Sequence, residues 1–276
     1  MAKSGVSEFL RSVKLKCIDY PYPIYRIETQ GEGSCFFHAI LRALYKPYIE
    51  ATSRQQRSQI AVNVRWTLAN ELEKINPDTG KRLYDTLGGG LYEEFSKGGD
   101  AAGQYSLLAM LRELRSNNPV DTAYQELCAT FFGYDIYIIN AERGDVYQTG
   151  NEGSLYKNRP SIFIYGMSGH YEILAVPMKQ SGIYACLLTA DHLFTVAVNT
   201  RVKALVSSTP SKVASIPNVN GQVSMSPVNS NITQVNEIIP TEETAVITRV
   251  TNSPGYIPST SLLSLISNLN LNSVNS

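Results

Sequence analysis

The chain has 276 residues, with 24 basic and 24 acidic side chains and a formal net charge of zero. A hydrophobic share of 43% supports a real core, and the balanced charge carries no nucleic-acid footprint. No stretch approaches the roughly 20 apolar residues of a membrane-spanning helix, and residues 1–11 lack the basic and apolar regions of a secretion signal, so a soluble, cytoplasmic protein without a membrane partner is expected.

Residues 1–19 read as an N-terminal extension. Tyr25-Arg26-Ile27-Glu28 predicts a short strand that leads into a turn at Gly31-Glu32-Gly33-Ser34. A helix follows over 35–45, with Phe36, Ile40, Ala43 and Leu44 as its buried stripe and Pro47 as its stop. Ser53-Arg54-Gln55-Gln56 has the pattern of a capping box. The helix it opens carries Ile60, Val64, Leu68 and Leu72 on one line, with Trp66 off it, and ends before Asn76-Pro77. Gly88-Gly89-Gly90 breaks the next segment. Two further helices are predicted over 104–114 and 121–132, separated by Asn117-Asn118-Pro119.

Strands are then expected at 135–139, 145–147, 161–165 and 170–176. Helices early and strands late predict an α+β domain with a mixed sheet flanked by helices. Residues 183–188 and 193–198, around Thr189-Ala190-Asp191-His192, read as a β-hairpin within an extension over 179–205. From 206 the chain turns to Ser, Thr, Asn, Val and Pro, and from 211 onward its charged residues are Lys212, Glu237, Glu242, Glu243 and Arg249. Such a segment does not easily offset an ordering entropy of roughly 1–2 kcal/mol per residue. A flexible, low-complexity tail is expected over 206–276, with a short sticky helix near residues 262–266.

Cys17, Cys35, Cys128 and Cys186 lie far apart with no C-x-x-C pair. That excludes the usual zinc frameworks and gives little support to a disulfide scaffold. Each is by default a small core hydrophobe, and Cys35 has a case against that default. It follows a glycine turn and opens a helix, where unpaired N–H groups and the dipole stabilise a thiolate and lower its pKa. The same N–H groups can hold an oxyanion.

A thiol nucleophile needs a base, and the chain has three histidines. His38 lies one turn along the same helix and reads first as a packed or interfacial histidine. His192 reads as an exposed turn histidine. His170 begins a strand, and Glu172 projects to the same side of it. From there a carboxylate can accept the Nδ1–H and present Nε2 to the thiol.

The run Gly31-Glu32-Gly33-Ser34-Cys35-Phe36-Phe37-His38-Ala39 resembles the nucleophile motif of ovarian-tumour (OTU) type cysteine proteases, G-D-G-x-C-x-x-x-A. Gly169-His170-Tyr171-Glu172 is similar to their late His-Tyr-Asn/Asp motif. The stretches 116–120, 124–127 and 135–139 fall where that family keeps its central turn, helix and strand. The likeness covers about residues 20–178 and looks closest to the branch of large DNA viruses, which would place the protein in the host cytoplasm or the virion.

The resemblance implies a papain-type fold and a deubiquitinase. Its expected partner is ubiquitin, polyubiquitin chains or a ubiquitin-like modifier, and it needs no metal or organic cofactor. It also implies a catalytic set of Cys35, His170 and Glu172, with an oxyanion hole from the backbone of Glu32, Gly33, Ser34 and Cys35. Two departures stand out: Glu32 replaces the family's aspartate, and Glu172 is one methylene longer than the usual third residue. Asp19 is the alternative orienting carboxylate. The competing readings are an inactive ubiquitin-binding or virion structural protein on the same fold, another Cys–His acyl-transfer enzyme, and a Cys35 that is only a core thiol.

Overall fold

The computed structural model describes residues 9–86, 105–120, 124–146, 158–178, 183–208 and 244–246. Its strands are β1 (Phe9–Val13), β2 (Ile24–Ile27), β3 (Asp135–Asn140), β4 (Asp145–Val146), β5 (Ser161–Met167), β6 (His170–Pro177), β7 (Tyr184–Ala185), β8 (Leu187–Leu188) and β9 (Thr244–Val246). Its helices are α1 (Cys35–Leu44), α2 (Lys46–Glu50), α3 (Arg54–Glu73), α4 (Leu83–Thr86), α5 (Leu107–Leu114), α6 (Tyr124–Phe132) and α7 (Leu193–Ser208).

One sheet runs β4-β3-β5-β6-β2-β1-β9, with β7 beside β6 and β8 beside β5. β3 and β5 are parallel, and the other pairings are antiparallel. The mixed sheet flanked by helices is therefore as the sequence predicts.

Strand alternation divides the core in two. Ile136, Ile138, Ile162, Ile164, Ile173 and Ala175 face one side, where Phe36, Ile40, Leu68 and Leu127 cover them. Tyr137, Ile139, Phe163, Leu174 and Val176 face the other, under Phe194, Val198 and Val202 of α7. Residues 135–139 are buried throughout because helices cover both faces of the sheet.

The long helix α3 forms as its sequence predicts. The Ser53 side chain accepts from the Gln56 N–H and the Gln56 side chain reaches back, which closes the capping box. Val64, Leu68 and Leu72 are buried, while Trp66 stays out at 47% exposure beneath the Arg115 guanidinium.

The predicted hairpin over 183–198 is corrected. Residues 184–185 pair with β6 and 187–188 with β5, whereas 193–198 begin α7. Strand propensity was overridden by packing: Phe194, Val198 and Val202 recur at four-residue intervals and all are buried. The polar link supplies the helix start, since the Phe194 N–H donates to His192 Nδ1. His192 is thus a half-buried capping residue rather than an exposed turn histidine. The expected tail lies outside the described residues, apart from the end of α7 and β9, which pairs with β1. The glycine break at 88–90 and the short helix near 262–266 also lie outside them.

Candidate active site

The site forms where β2 leaves the sheet. Ile27↔Ile173 is the last pair between β2 and β6, so the edge of β6 at Tyr171 has no strand beside it on that side. Two side chains take the vacated place. Thr29 Oγ1 donates to the Tyr171 carbonyl, and the Tyr171 N–H lies near enough to the Cys35 thiol to lower its pKa. Phe36 seats α1 edge-on against the Tyr171 ring, with centroids 5.4 Å apart. The nucleophile candidate is thereby fixed to the residue next to His170.

The turn before Cys35 is tightly held. Gly33 has φ +75°, and a Cβ there would lie 1.9 Å from the Asn117 carbonyl oxygen, so only glycine fits. Glu32 is anchored outward: its carboxylate accepts from Ser58 Oγ at 2.7 Å, and Gln30 donates to the same hydroxyl at 2.8 Å. Arg65, fully buried on α3, donates to the Gly33 carbonyl at 3.2 Å and to Ser34 Oγ at 3.0 Å.

Two expectations about this turn change. Burial pushes the Cys35 thiol pKa up, and the N–H groups of Tyr171, Phe36 and Cys35 together with the Arg65 charge only partly offset it. The helix-start effect acts in the expected direction, but desolvation of a residue 3% exposed outweighs it. Among the four proposed oxyanion donors, Gly33 N–H is already donated to the Gly31 carbonyl at 2.6 Å. The Cys35 N–H is among the groups that lower its own thiol pKa.

His170 and Glu172 do share a side of β6, and the structure brings them together with an atom assignment opposite to the expected one. Glu172 Oε1 lies 3.8 Å from His170 Nε2, with the imidazole about a quarter exposed. The carboxylate therefore stands on the Nε2 side, leaving Nδ1 for the thiol. The separation is too long for a hydrogen bond. Nor does a hydrogen bond join Cys35 to the imidazole among the described residues. Catalytic contacts of this kind commonly tighten only once substrate is bound.

Glu172 is buried, and desolvation raises its pKa against the opposing charges of Arg26 and His170. Arg26 on β2 is its counter-charge: Nη1 stands 3.3 Å from Oε2, in a contact not aligned as a hydrogen bond. The guanidinium also lies 5.9 Å from the Tyr165 ring centroid. Asp19, the alternative carboxylate, is exposed. It lines a cleft with Cys17, Tyr20, Leu193 and Val196, and no ion pair or hydrogen bond links it to His170 among the described residues.

His38 is a packed histidine, as its helix position suggested. It is fully buried, its Nδ1 meets Tyr48 OH at 2.9 Å, and burial lowers its pKa to about 4. Sequence reasoning missed Arg65 and Arg26. Arg26 alternates with Tyr25 and Ile27 in the predicted strand and so reads as a polar, solvent-facing position that announces no buried partner. Cys128 and Cys186 are buried thiols, and burial drives the Cys128 pKa up. No cluster able to hold a metal occurs among the described residues, and none of their helices is long and apolar enough to cross a membrane.

No family model and no curated protein matches the chain. Solved structures similar to it include an ovarian tumour (OTU) domain in complex with ubiquitin, with a TM-score of 0.43 and 14% identity, covering 75% of this chain and 94% of that one. Another is the OTUD1 OTU domain, with a TM-score of 0.33 and 17% identity, covering 55% and 85%.

Proposed function

We propose that the chain is a cysteine protease that hydrolyses the isopeptide bond at the ubiquitin C-terminus. The observation that carries the reading is the packing of the start of α1 on β6, with Phe36 5.4 Å from the Tyr171 ring centroid, beside an imidazole with a buried carboxylate on its Nε2 side. A thiol at the start of α1 and a base and an orienting acid on β6 lie at one strand edge. The ubiquitin assignment rests on the likeness of the Gly31–Ala39 and Gly169–Glu172 motifs to OTU proteases.

In this mechanism His170 Nδ1 takes the Cys35 proton and the sulfur attacks the scissile carbonyl. The backbone N–H groups of Glu32, Ser34 and Cys35 donate to the developing oxyanion, and Gly33 joins them if substrate displaces the Gly31 carbonyl. His170 then returns the proton to the leaving lysine amine. Water, deprotonated by the same imidazole, hydrolyses the thioester and frees the ubiquitin carboxylate. Glu172 holds the ring through Nε2 once the 3.8 Å gap closes. Arg26 keeps Glu172 from rotating away.

The raised Cys35 pKa and the engaged Gly33 N–H favour a second reading, a ubiquitin-binding module without turnover. A ubiquitin bearing a C-terminal electrophile separates the two. Wild type should be labelled and Cys35→Ala not, and a di-ubiquitin panel should be cleaved by wild type alone. Binding of ubiquitin without labelling of wild type would leave only the module.

A further inference from the structure

Arg65 is a fully buried cation whose hydrogen bonds include no carboxylate. It donates to the carbonyls of Leu114 at 3.2 Å, Glu113 at 2.6 Å, Asn118 at 2.8 Å and Gly33 at 3.2 Å, and to Ser34 Oγ at 3.0 Å. The Glu113 carboxylate accepts from Tyr124 instead. The guanidinium also lies 5.1 Å from the Phe37 ring centroid. One side chain on α3 thus ties the end of α5, the 116–118 loop and the nucleophile turn together.

Two consequences follow from peptide geometry. The peptide between Gly33 and Ser34 is trans, so its C=O and N–H point in opposite directions. With the carbonyl drawn to Arg65, the Ser34 N–H faces away from the interior. Ser34 is also the N-cap of α1, yet its hydroxyl makes no capping bond because Arg65 holds it. The first-turn N–H groups of α1 therefore keep no side-chain cap, and those of Cys35 and Phe36 are among the groups that lower the thiol pKa. Arg65 has no hydrogen-bonded ion pair, and besides the Glu113 carboxylate its charge is felt at Cys35, so an anion that forms during reaction on the sulfur and then on the substrate oxygen gains from it.

We propose that Arg65 is a positioning residue for Cys35: it fixes the Gly33–Ser34 peptide so that the Ser34 N–H faces the substrate carbonyl, leaves the start of α1 uncapped, and holds positive charge near the nucleophile. This rests on the reading of Cys35 as the nucleophile. The test uses the full chain with Arg65→Lys, which keeps charge and loses the fork, Arg65→Met, which loses both, and Ser34→Ala, which leaves the four carbonyl contacts in place. Folding is checked by cooperative thermal unfolding.

On a fluorogenic ubiquitin C-terminal amide, Arg65→Lys should lower kcat by about 100-fold, the scale of a misplaced reacting group, with KM within about 3-fold. Ser34→Ala should lower kcat by about 3–10-fold. Iodoacetamide modification of Cys35, followed by mass spectrometry across pH, reads the thiolate without ubiquitin. Its midpoint should rise in Arg65→Met and stay near wild type in Arg65→Lys. A folded Arg65→Lys with wild-type kcat, or a folded Arg65→Met with an unchanged alkylation profile, would overturn the proposal. Should neither Arg65 variant fold, wild-type kcat in Ser34→Ala would do so. A wild type that alkylates with the expected Arg65 dependence yet cleaves no ubiquitin substrate would fault the ubiquitin reading and leave Arg65's role standing.

Discussion

Cys35 lies 3% exposed against a strand edge, and under the proposed function whatever activates it has to act against desolvation. The groups arranged to do so are backbone N–H dipoles and one buried cation, so small displacements matter more than at an exposed thiol. Gly33→Ala tests this directly. The new Cβ meets the Asn117 carbonyl, and a left-handed conformation adds roughly 1–2 kcal/mol of strain. Turnover of a ubiquitin amide should fall at least about 100-fold while a cooperative melt survives. Retention of wild-type turnover would mean that the turn tolerates displacement.

The Arg26–Glu172 pair makes a separate prediction. Arg26→Met strands a buried carboxylate and should destabilise by about 3–5 kcal/mol in urea unfolding. Adding Glu172→Leu to that variant should recover most of the loss. Equal stability of the single and double variants would show that the contact at 3.3 Å carries no coupling.

At the scale of elements, local signals were legible wherever a single segment contains its own reason for folding. The capping box at Ser53, the α3 stripe and the apolar runs of strands β3, β5 and β6 are of this kind. Residues 193–198 are not. Their Val, Thr and Phe content suits a strand, and the helical spacing shows only when the window extends to Val202. Phe194 lies at the centre of that outcome, packed 4.7 Å from the Phe163 ring centroid and 5.0 Å from that of Tyr20. Phe194→Ala should therefore destabilise by about 3–5 kcal/mol, measured by chemical unfolding. A strand of an outlying hairpin at this position would lose far less. Ser53→Ala should cost about 1 kcal/mol through the cap and leave turnover intact, since it lies outside the site.

Across the whole molecule, the site combines groups with very different visibility in sequence. Cys35 and His170 stand in short motifs whose chemistry is local, and Glu172 follows from strand alternation alone. The Nε2 assignment did not, because it depends on ring rotation about a strand end. Arg65 was invisible because its partners lie at 33–34 and 113–118, and nothing within α3 announces them.

Stability against pH is a property of the whole fold, and His38 gives its sign. Its folded pKa of about 4 lies below the ordinary 6.5, so the unfolded chain binds the proton first. The stabilisation is fully present above pH 6.5 and is lost as pH falls toward 4, by up to ~3 kcal/mol. Glu172 acts in the opposite direction: its raised pKa favours the folded state at acid pH and withdraws that support as pH rises through the folded value. Urea unfolding between pH 4 and 7 should show His38→Gln with a flatter acid limb than wild type. Parallel limbs would remove His38 as the cause.

The Gly33–Asn117 contact also bears on how this chain can change. Surface loops ordinarily absorb insertions and deletions with little effect, but the 116–118 loop presents its main chain to the nucleophile turn and gives a carbonyl to Arg65. Side chains at 117 and 118 are free to vary, since both contacts are made by backbone. The length of the loop is not. In its tolerance of indels this exterior segment belongs with the interior of the protein, and a lineage that lengthened it would have to rebuild the turn before Cys35 at the same time.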